Sequence, residues 1–305
     1  MPKPTPPPKQ PFHIAIIGGG IGGLSLTIGL LKYPHISVTI YESASCFDEI
    51  GAGVGFGPNA VQAMQLLHPG IHEGFQAIST TNGWESKFDE WYPFYLAMDV
   101  GKLKAGTLLA TVKSGNGKSP SWTVHRKDFL KVLASLVPDG TAVFGKRAVG
   151  VDQSGDLEGK VVISFQDGTK AEADAVIGCD GVRSVCRGFV FGEDSPFTEQ
   201  VFSGKYCYRA LVPMEKAREV LGGEVAMNKT MYLGRHGHIL GFPVQSGKTM
   251  NVVAFRTKAD GKWEHPNWLL PITKEDMLSD FEGFSDEAMK IMRVRLDSFK
   301  LSIEF

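Results

Sequence analysis

Apolar residues fall along this chain in two rhythms, and the place where one gives way to the other divides it. From Phe12 to Ile17 they form a near-continuous run of strand length. A cluster of glycines follows, then an apolar helix-like stretch from Leu24 to Leu31, and Ile36 to Tyr41 alternates as a second strand. Strand, tight turn, helix and strand make a β-α-β unit. Helical spacing returns after Pro58 at Val61, Met64, Leu66 and Leu67, and again at Phe129, Leu130, Leu133, Leu136 and Val137. Residues 68–119 keep no period. Their aromatic residues (Trp84, Phe88, Trp91, Tyr92, Phe94 and Tyr95), set among turn formers, point to strands and loops beside a pocket. Thr141 to Val151, Lys160 to Phe165 and Ala171 to Ile177 read as strands, the last two joined by a hairpin turn at Asp167 and Gly168.

Beyond residue 200 strands dominate, at Tyr206 to Val212, Met231 to Leu233, His238 to Val244 and Met250 to Arg256, with little helix between them. Residues 274–305 form a helical tail with Met289, Met292 and Leu296 on one face, a core stripe. The expected fold class is α/β. A doubly wound, Rossmann-like nucleotide-binding domain covers 12–200, with 68–119 contributing near the pocket. A second, mainly antiparallel β-sheet domain for the substrate covers 201–273. Residues 1–11, six of them proline, are expected to be a disordered tail.

The glycine cluster gives the first unit its chemistry. Gly18 turns the chain at the end of the first strand, Gly20 leaves the backbone open to a pyrophosphate, and Gly23 lets the helix press on the sheet. The helix N-terminus, with unpaired N–H groups and a positive dipole end, favours an anion there. Glu42 closes the second strand, where its carboxylate can accept from both hydroxyls of an adenosine ribose and would repel a 2′-phosphate. The bare glycine pattern also fits an ordinary turn, and the flanking strands and the acid argue against that. Gly51, Gly53, Gly55 and Gly57 alternate in a stretch that makes a poor strand but suits backbone passing close to something flat. Arg126 stands at a helix start, unfavourable for a cation unless a phosphate or carbonyl is bound there, although a solvent-facing Arg is the alternative. Asp180, in Cys179 to Ser184, follows an apolar strand at the end where nucleotide-binding sheets hold ligands.

Charge and cysteine usage narrow the classes. With 32 basic and 33 acidic residues the formal net charge is -1, which gives no field to gather nucleic acid. No window reaches the ~20 apolar residues of a membrane-spanning helix. Cys46, Cys179, Cys186 and Cys207 lack metal or scaffold spacing and suggest reduced thiols in a cytoplasmic setting. His236 and His238 share a strand face but have no acidic or Cys partner in sequence, so no metal is expected.

Taken together, Gly18 to Gly23, Glu42, the Ile50 to Ala60 stretch, His125 to Phe129 and Cys179 to Ser184 resemble the single-component FAD-dependent monooxygenases of the aromatic-ring hydroxylase group, most closely the salicylate-hydroxylase-like members. The resemblance runs from about Phe12 to the end. It implies that Gly18, Gly20 and Gly23 bind the FAD diphosphate and Glu42 the ribose. The stretch containing Gly55 and Arg126 would also serve FAD, and Asp180 and Arg183 would serve FAD and reduced nicotinamide. Arg209, within Tyr208 to Val212, is implied as the catalytic candidate. The implied reaction is hydroxylation of an electron-rich phenolic or salicylate-like aromatic, with NADH or NADPH and oxygen. One departure stands out. The family's third motif, Gly-Asp followed by small residues, has no counterpart, since Gly155 and Asp156 precede the Asp180 motif and are followed by Leu157 and Glu158. The last FAD-facing segment is therefore expected to be missing, with a truncated, impaired or non-catalytic form as the alternative. A nicotinamide-dependent dehydrogenase ranks behind both.

Overall fold

A computed structural model describes residues 11–47, 52–117, 119–153, 159–192, 194–270, 273–294 and 300–304. Residues 1–10 of the Pro-rich tail, Ile50, Gly51, Gly155, Asp156 and Leu296 lie outside the described residues. In chain order the elements begin β1 (Phe12–Ile17), α1 (Ile21–Leu30), β2 (Ile36–Tyr41), β3 (Gly53–Phe56), α2 (Pro58–Leu67), α3 (Pro69–Ile78), β4 (Glu90–Leu96) and β5 (Leu108–Lys113). Next come β6 (Trp122–His125), α4 (Arg126–Ser135), β7 (Ala142–Val143), β8 (Ala148–Gln153), β9 (Val161–Phe165), β10 (Lys170–Ala173), β11 (Ala175–Gly178) and α5 (Val185–Phe191). The chain continues through β12 (Lys205–Pro213), α6 (Met214–Met227), β13 (Thr230–Gly234), β14 (Gly237–Val244), β15 (Thr249–Thr257), β16 (Leu269–Leu270), α7 (Lys274–Asp280), α8 (Asp286–Arg293) and β17 (Lys300–Glu304).

Two compact units divide these elements. The first comprises 1–48 and 130–200. Its parallel sheet has the order β11-β1-β2-β7, with β1 in the middle, Ile14 opposite Ala175 and Phe12 opposite Ile36. A strand covered on both faces reads as a continuous apolar run, and Ile14 to Ile17 are all buried. Helix α1 buries Gly23, Leu24, Thr27 and Ile28, with the Thr27 hydroxyl donating back to Gly23 O at 2.8 Å. A three-stranded antiparallel sheet, β10-β9-β8, adds Ile163, Phe165 and Ala173 to a core shared with Ala15 and Ile17. Its β9–β10 turn is the hairpin expected at Gly168, where φ is +81°.

The second unit comprises 49–129 and 201–305. Its eight-stranded sheet runs β16-β17-β12-β15-β14-β13-β4-β5, antiparallel except for β13 beside β4. One face carries Tyr208, Ala210, Val212, Val252 and Ala254 against α6, α7 and α8. The other face carries Tyr92, Phe242 and Val244, with Leu211, Met231 and Leu240 partly buried beside them. The strands β3 and β6 form a separate antiparallel pair, Gly53 opposite His125.

Several boundaries differ from the sequence reading. Residues 49–129 belong with the large sheet, because β4 pairs with β13 (Met231 opposite Phe94) and β5 extends that edge. The alternating-glycine stretch does form a strand, β3, since β6 supplies the ladder bonds that its side chains could not. Helix α3 was hidden in the aperiodic region because only Ile71 and Phe75 bury, while Pro69 at its first turn and the His68 side chain, accepting from Gly70 N, start it. Helix α6 was hidden because Gly222, at φ +77°, interrupts it. The tail is not wholly helical. After α8, which buries Met289 and Met292 as expected, β17 pairs with β12.

Candidate functional site

In the first unit the fingerprint is built almost entirely from backbone. Gly18 has φ +101°, and a Cβ there would meet Cys179 O at 2.4 Å. A Cβ at Gly23 would lie 2.0 Å from Gly18 O, so the helix can touch the turn only through a glycine. Gly20, the residue before α1, is different. No heavy atom lies within 4 Å of a Cβ built there, and no side chain caps the helix N-terminus. Open space therefore faces unpaired amides, the surroundings an anion uses.

Glu42 sits at this turn. Its Oε2 accepts from Gly19 N at 2.6 Å, and its Oε1 accepts from Ala44 N at 2.7 Å and Ser43 Oγ at 3.1 Å. A carboxylate offers about four lone-pair sites, so Oε2 still has capacity for a hydroxyl donor. Asp180 also lies against the turn, its Cα 3.1 Å from the Cβ position of Gly18. Its carboxylate is turned toward α5, with Oδ1 accepting from Ser184 Oγ at 2.6 Å and Oδ2 from Val185 N at 2.8 Å and Cys186 N at 3.1 Å. Asp180 thus organises the start of α5 beside the fingerprint. Arg183 is exposed in the turn between them.

The second unit holds Gly55, Arg126 and Arg209. Strand β3 lies between two layers. Phe56 packs edge-on against Phe75 and Phe129, at 5.3 and 5.2 Å between ring centroids, and the opposite face looks onto the large sheet. There a Cβ at Gly53 would meet Phe242 Cε2 at 2.6 Å and Asn251 Cγ at 2.8 Å, whereas one at Gly55 would meet only Trp122 O at 3.8 Å. Gly53 is the close approach and Gly55 borders space. Arg126 is exposed at the start of α4, its backbone N donating to Ala52 O at 2.8 Å, which fixes the helix start to the glycine strand. Arg209 is half-buried on β12 and its Nε donates to Cys207 Sγ at 3.0 Å. Strand alternation and register put Arg209 on the same face as Leu211, Val253, Leu240 and Phe242. A cation stands on an apolar, aromatic surface.

Asn251 and Lys229, on or near this face, escaped the sequence reading, and His125 entered it only within the stretch His125 to Phe129. Asn251 is 2% exposed and its Oδ1 accepts from Gly53 N at 2.9 Å, while its Nδ2 is buried without a partner. His125 is buried, with Nδ1 3.4 Å from Asp128 Oδ2 but making no well-directed hydrogen bond. Lys229, 2% exposed, donates from Nζ to Ser121 O at 3.0 Å and to Ser121 Oγ, and lies 5.8 Å from the Tyr92 ring centroid. Burial pushes its amine down to about 7. The available signal was a single polar residue inside an apolar strand, Asn251 between Met250 and Val252. His238 stacks on Phe255 at 4.7 Å, and burial, then Lys205, lowers its pKa. Among the described residues no group of three or more His, Cys, Asp or Glu could hold a metal ion. No helix among them is long and apolar enough to cross a membrane. A cleft of about 280 Å³, lined by residues including Thr80, Asn82, Met214 and Pro243, contains none of the expected site residues. Two of its polar side chains are already bonded, Thr80 Oγ1 accepting from Ser246 N and Asn82 Nδ2 donating to Lys87 O.

A parallel sheet with a glycine turn, an acid at the second strand and a separate antiparallel sheet presenting an Arg define the class of FAD-binding hydroxylases, and comparison with known proteins agrees. No family model matches the chain. It is 40% identical over 299 residues to the FAD-dependent monooxygenase pigN of Monascus ruber, covering 98% of this chain and 66% of that protein. It is 40% identical over 284 residues to the 6-methylsalicylate 1-monooxygenase atA of Aspergillus terreus, covering 92% and 62%. A solved salicylate hydroxylase in complex with substrate superposes with a TM-score of 0.77 at 31% identity, over 97% of this chain and 68% of that one. The chain belongs to the FAD-dependent aromatic-ring monooxygenases, among their salicylate-hydroxylase-like members. It spans about two thirds of the length of these relatives.

Proposed function

We propose that the chain works in hydroxylation of an electron-rich aromatic acid or phenol, with FAD as cofactor, NADH or NADPH as reductant and oxygen as co-substrate. When bound, FAD supplies hydride acceptance and oxygen activation. This chain's residues supply the rest. The amides at the start of α1 and the space over Gly20 would hold the diphosphate, and Glu42 Oε2 would accept from the ribose. Gly55, Arg126, Asp180 and Arg183 would also serve the cofactor. Arg209 would hold a substrate carboxylate or phenolate, its positive charge favouring the ionised and therefore more electron-rich ring.

The observation that carries this reading is the open, uncapped N-terminus of α1 beside Glu42, a cradle with room for a diphosphate and an acceptor for a ribose. The relatives named for salicylate and 6-methylsalicylate support the substrate class. A cytoplasmic setting is expected from the cysteine spacing, which has no scaffold pattern. The test is to purify the chain with FAD, record bound flavin by its visible absorption, and follow nicotinamide oxidation driven by salicylate or 6-methylsalicylate under ¹⁸O₂. Labelled hydroxylated product is expected. Absence of bound flavin, or nicotinamide oxidation with no labelled product from either acid, overturns the reading.

A further inference from the structure

Asn251 has an orientation that the backbone decides. Because Gly53 N is a donor, the side-chain oxygen must face it, and the NH₂ group is left as the buried end without an acceptor. A buried amide donor left unpaired is costly, and native proteins seldom keep one without a ligand or water to meet it. The register then locates it. On the β12–β15 pair Asn251 is opposite Leu211 and Arg209 is opposite Val253, so Arg209 and Asn251 are diagonal neighbours on one face. Diagonal neighbours lie about 7–8 Å apart at the backbone. The bond from Arg209 Nε to Cys207 Sγ leans the guanidinium further along the strand, away from Asn251. Between the two polar heads lie the side chains of Leu211 and Val253, both apolar.

We propose that Asn251 is a second polar anchor for the substrate, donating through Nδ2 to an oxygen substituent at the end of the ring opposite the group held by Arg209. The substrate class is then an aromatic acid or phenol with oxygen substituents at both ends of the ring, which rests on the aromatic-hydroxylase reading above. The apolar strip accepts the ring face, Arg209 takes the anionic end, and the amide selects for an acceptor at the far end. Specificity of this kind is steep, because a ligand lacking the acceptor leaves a buried donor unmet. Asn251 has a second task, holding Gly53 and with it the glycine strand, and the test must separate the two.

Asn251→Asp does so, since it keeps an oxygen for Gly53 N and removes the NH₂ donor. The FAD-loaded chain is titrated without nicotinamide with 2,4-dihydroxybenzoate and with salicylate, which lacks the oxygen opposite the carboxylate, and Kd is read from the perturbed flavin spectrum. The expected result is at least tenfold tighter binding of 2,4-dihydroxybenzoate by the wild type. That preference should vanish in Asn251→Asp titrated at alkaline pH, where the new carboxylate is ionised and can only accept, while flavin content stays unchanged and the thermal midpoint falls from the cost of the buried charge. Equal binding of both acids by the wild type, or an undiminished preference in the variant, overturns the proposal and leaves the hydroxylase reading standing. Binding of neither acid by the flavin-loaded wild type removes both. Should Asn251→Asp not fold, Asn251→Leu, of similar size and without a donor, carries the same comparison with flavin content as the control for the lost Gly53 contact, and an undiminished preference there overturns the proposal as well.

Discussion

In the Gly18 to Gly23 turn the decisive contacts are made by backbone atoms, Gly23 against Gly18 O and Gly18 against Cys179 O, whereas on the face carrying Arg209 they are made by side chains that four strands bring together. The two regions tolerate change differently for that reason. At Gly18 and Gly23 a single added carbon collides with a carbonyl, and at Gly20 it meets open space. On the sheet face, side chains can be exchanged without moving the backbone, so binding can change while the fold persists. Rigidity would suit the cofactor proposed for the turn, and replaceable side chains would suit the substrate proposed for the sheet face.

The sharpest break of this contrast is Gly23→Ala against Gly20→Ala. The first puts a carbon 2.0 Å from Gly18 O and should cost about 3 kcal/mol or more in urea unfolding, because backbone must move. The second has nothing within 4 Å and should cost no more than about 1 kcal/mol, yet weaken FAD binding in a fluorescence titration. If both variants lose stability alike, the space at Gly20 is not reserved for a ligand.

Arg209→Ala should lower product formation by roughly ten- to a hundredfold, from the loss of charge-assisted hydrogen bonds of about 1.5–3 kcal/mol, with flavin content intact. Loss of flavin instead would move Arg209 from the substrate face to the cofactor's supports. Glu42→Ala should do the converse, raising the FAD Kd by roughly ten- to a hundredfold, since it removes the acceptor proposed for the ribose and frees Gly19 N. An unchanged FAD Kd would separate Glu42 from the cofactor.

The last effect is a pH dependence, and it belongs to Lys229. Its folded pKa of about 7 lies below the ordinary 10.5, so between those values the unfolded chain binds a proton that the folded chain does not. Stability from this group therefore rises as pH climbs from about 7 to 10.5, by up to about 1.4 kcal/mol per pH unit, and the cost of burying the charge is felt below 7. Lys229→Met should flatten that slope in urea midpoints measured from pH 6 to 9. An unaltered slope would show that Lys229 titrates alike in both states.

The β-α-β unit, the roles of Gly18 and Gly23, the place of Glu42 and the start of α4 at Arg126 were all legible in the sequence. Each depends on residues close together in the chain, where periodicity and the sterics of glycine act directly. Helix α3 escaped because too few of its residues bury to leave a period, and α6 because Gly222 interrupts it. Only the tertiary structure decided that residues 49–129 join the large sheet, that β17 returns to pair with β12, and that Asp180 spends its carboxylate on α5. It alone set Asn251 diagonal to Arg209. These depend on strand register between segments far apart in sequence, and a one-residue slip would turn every side chain to the opposite face. The local sequence carries the alternation of faces, and the packed sheet decides which faces meet.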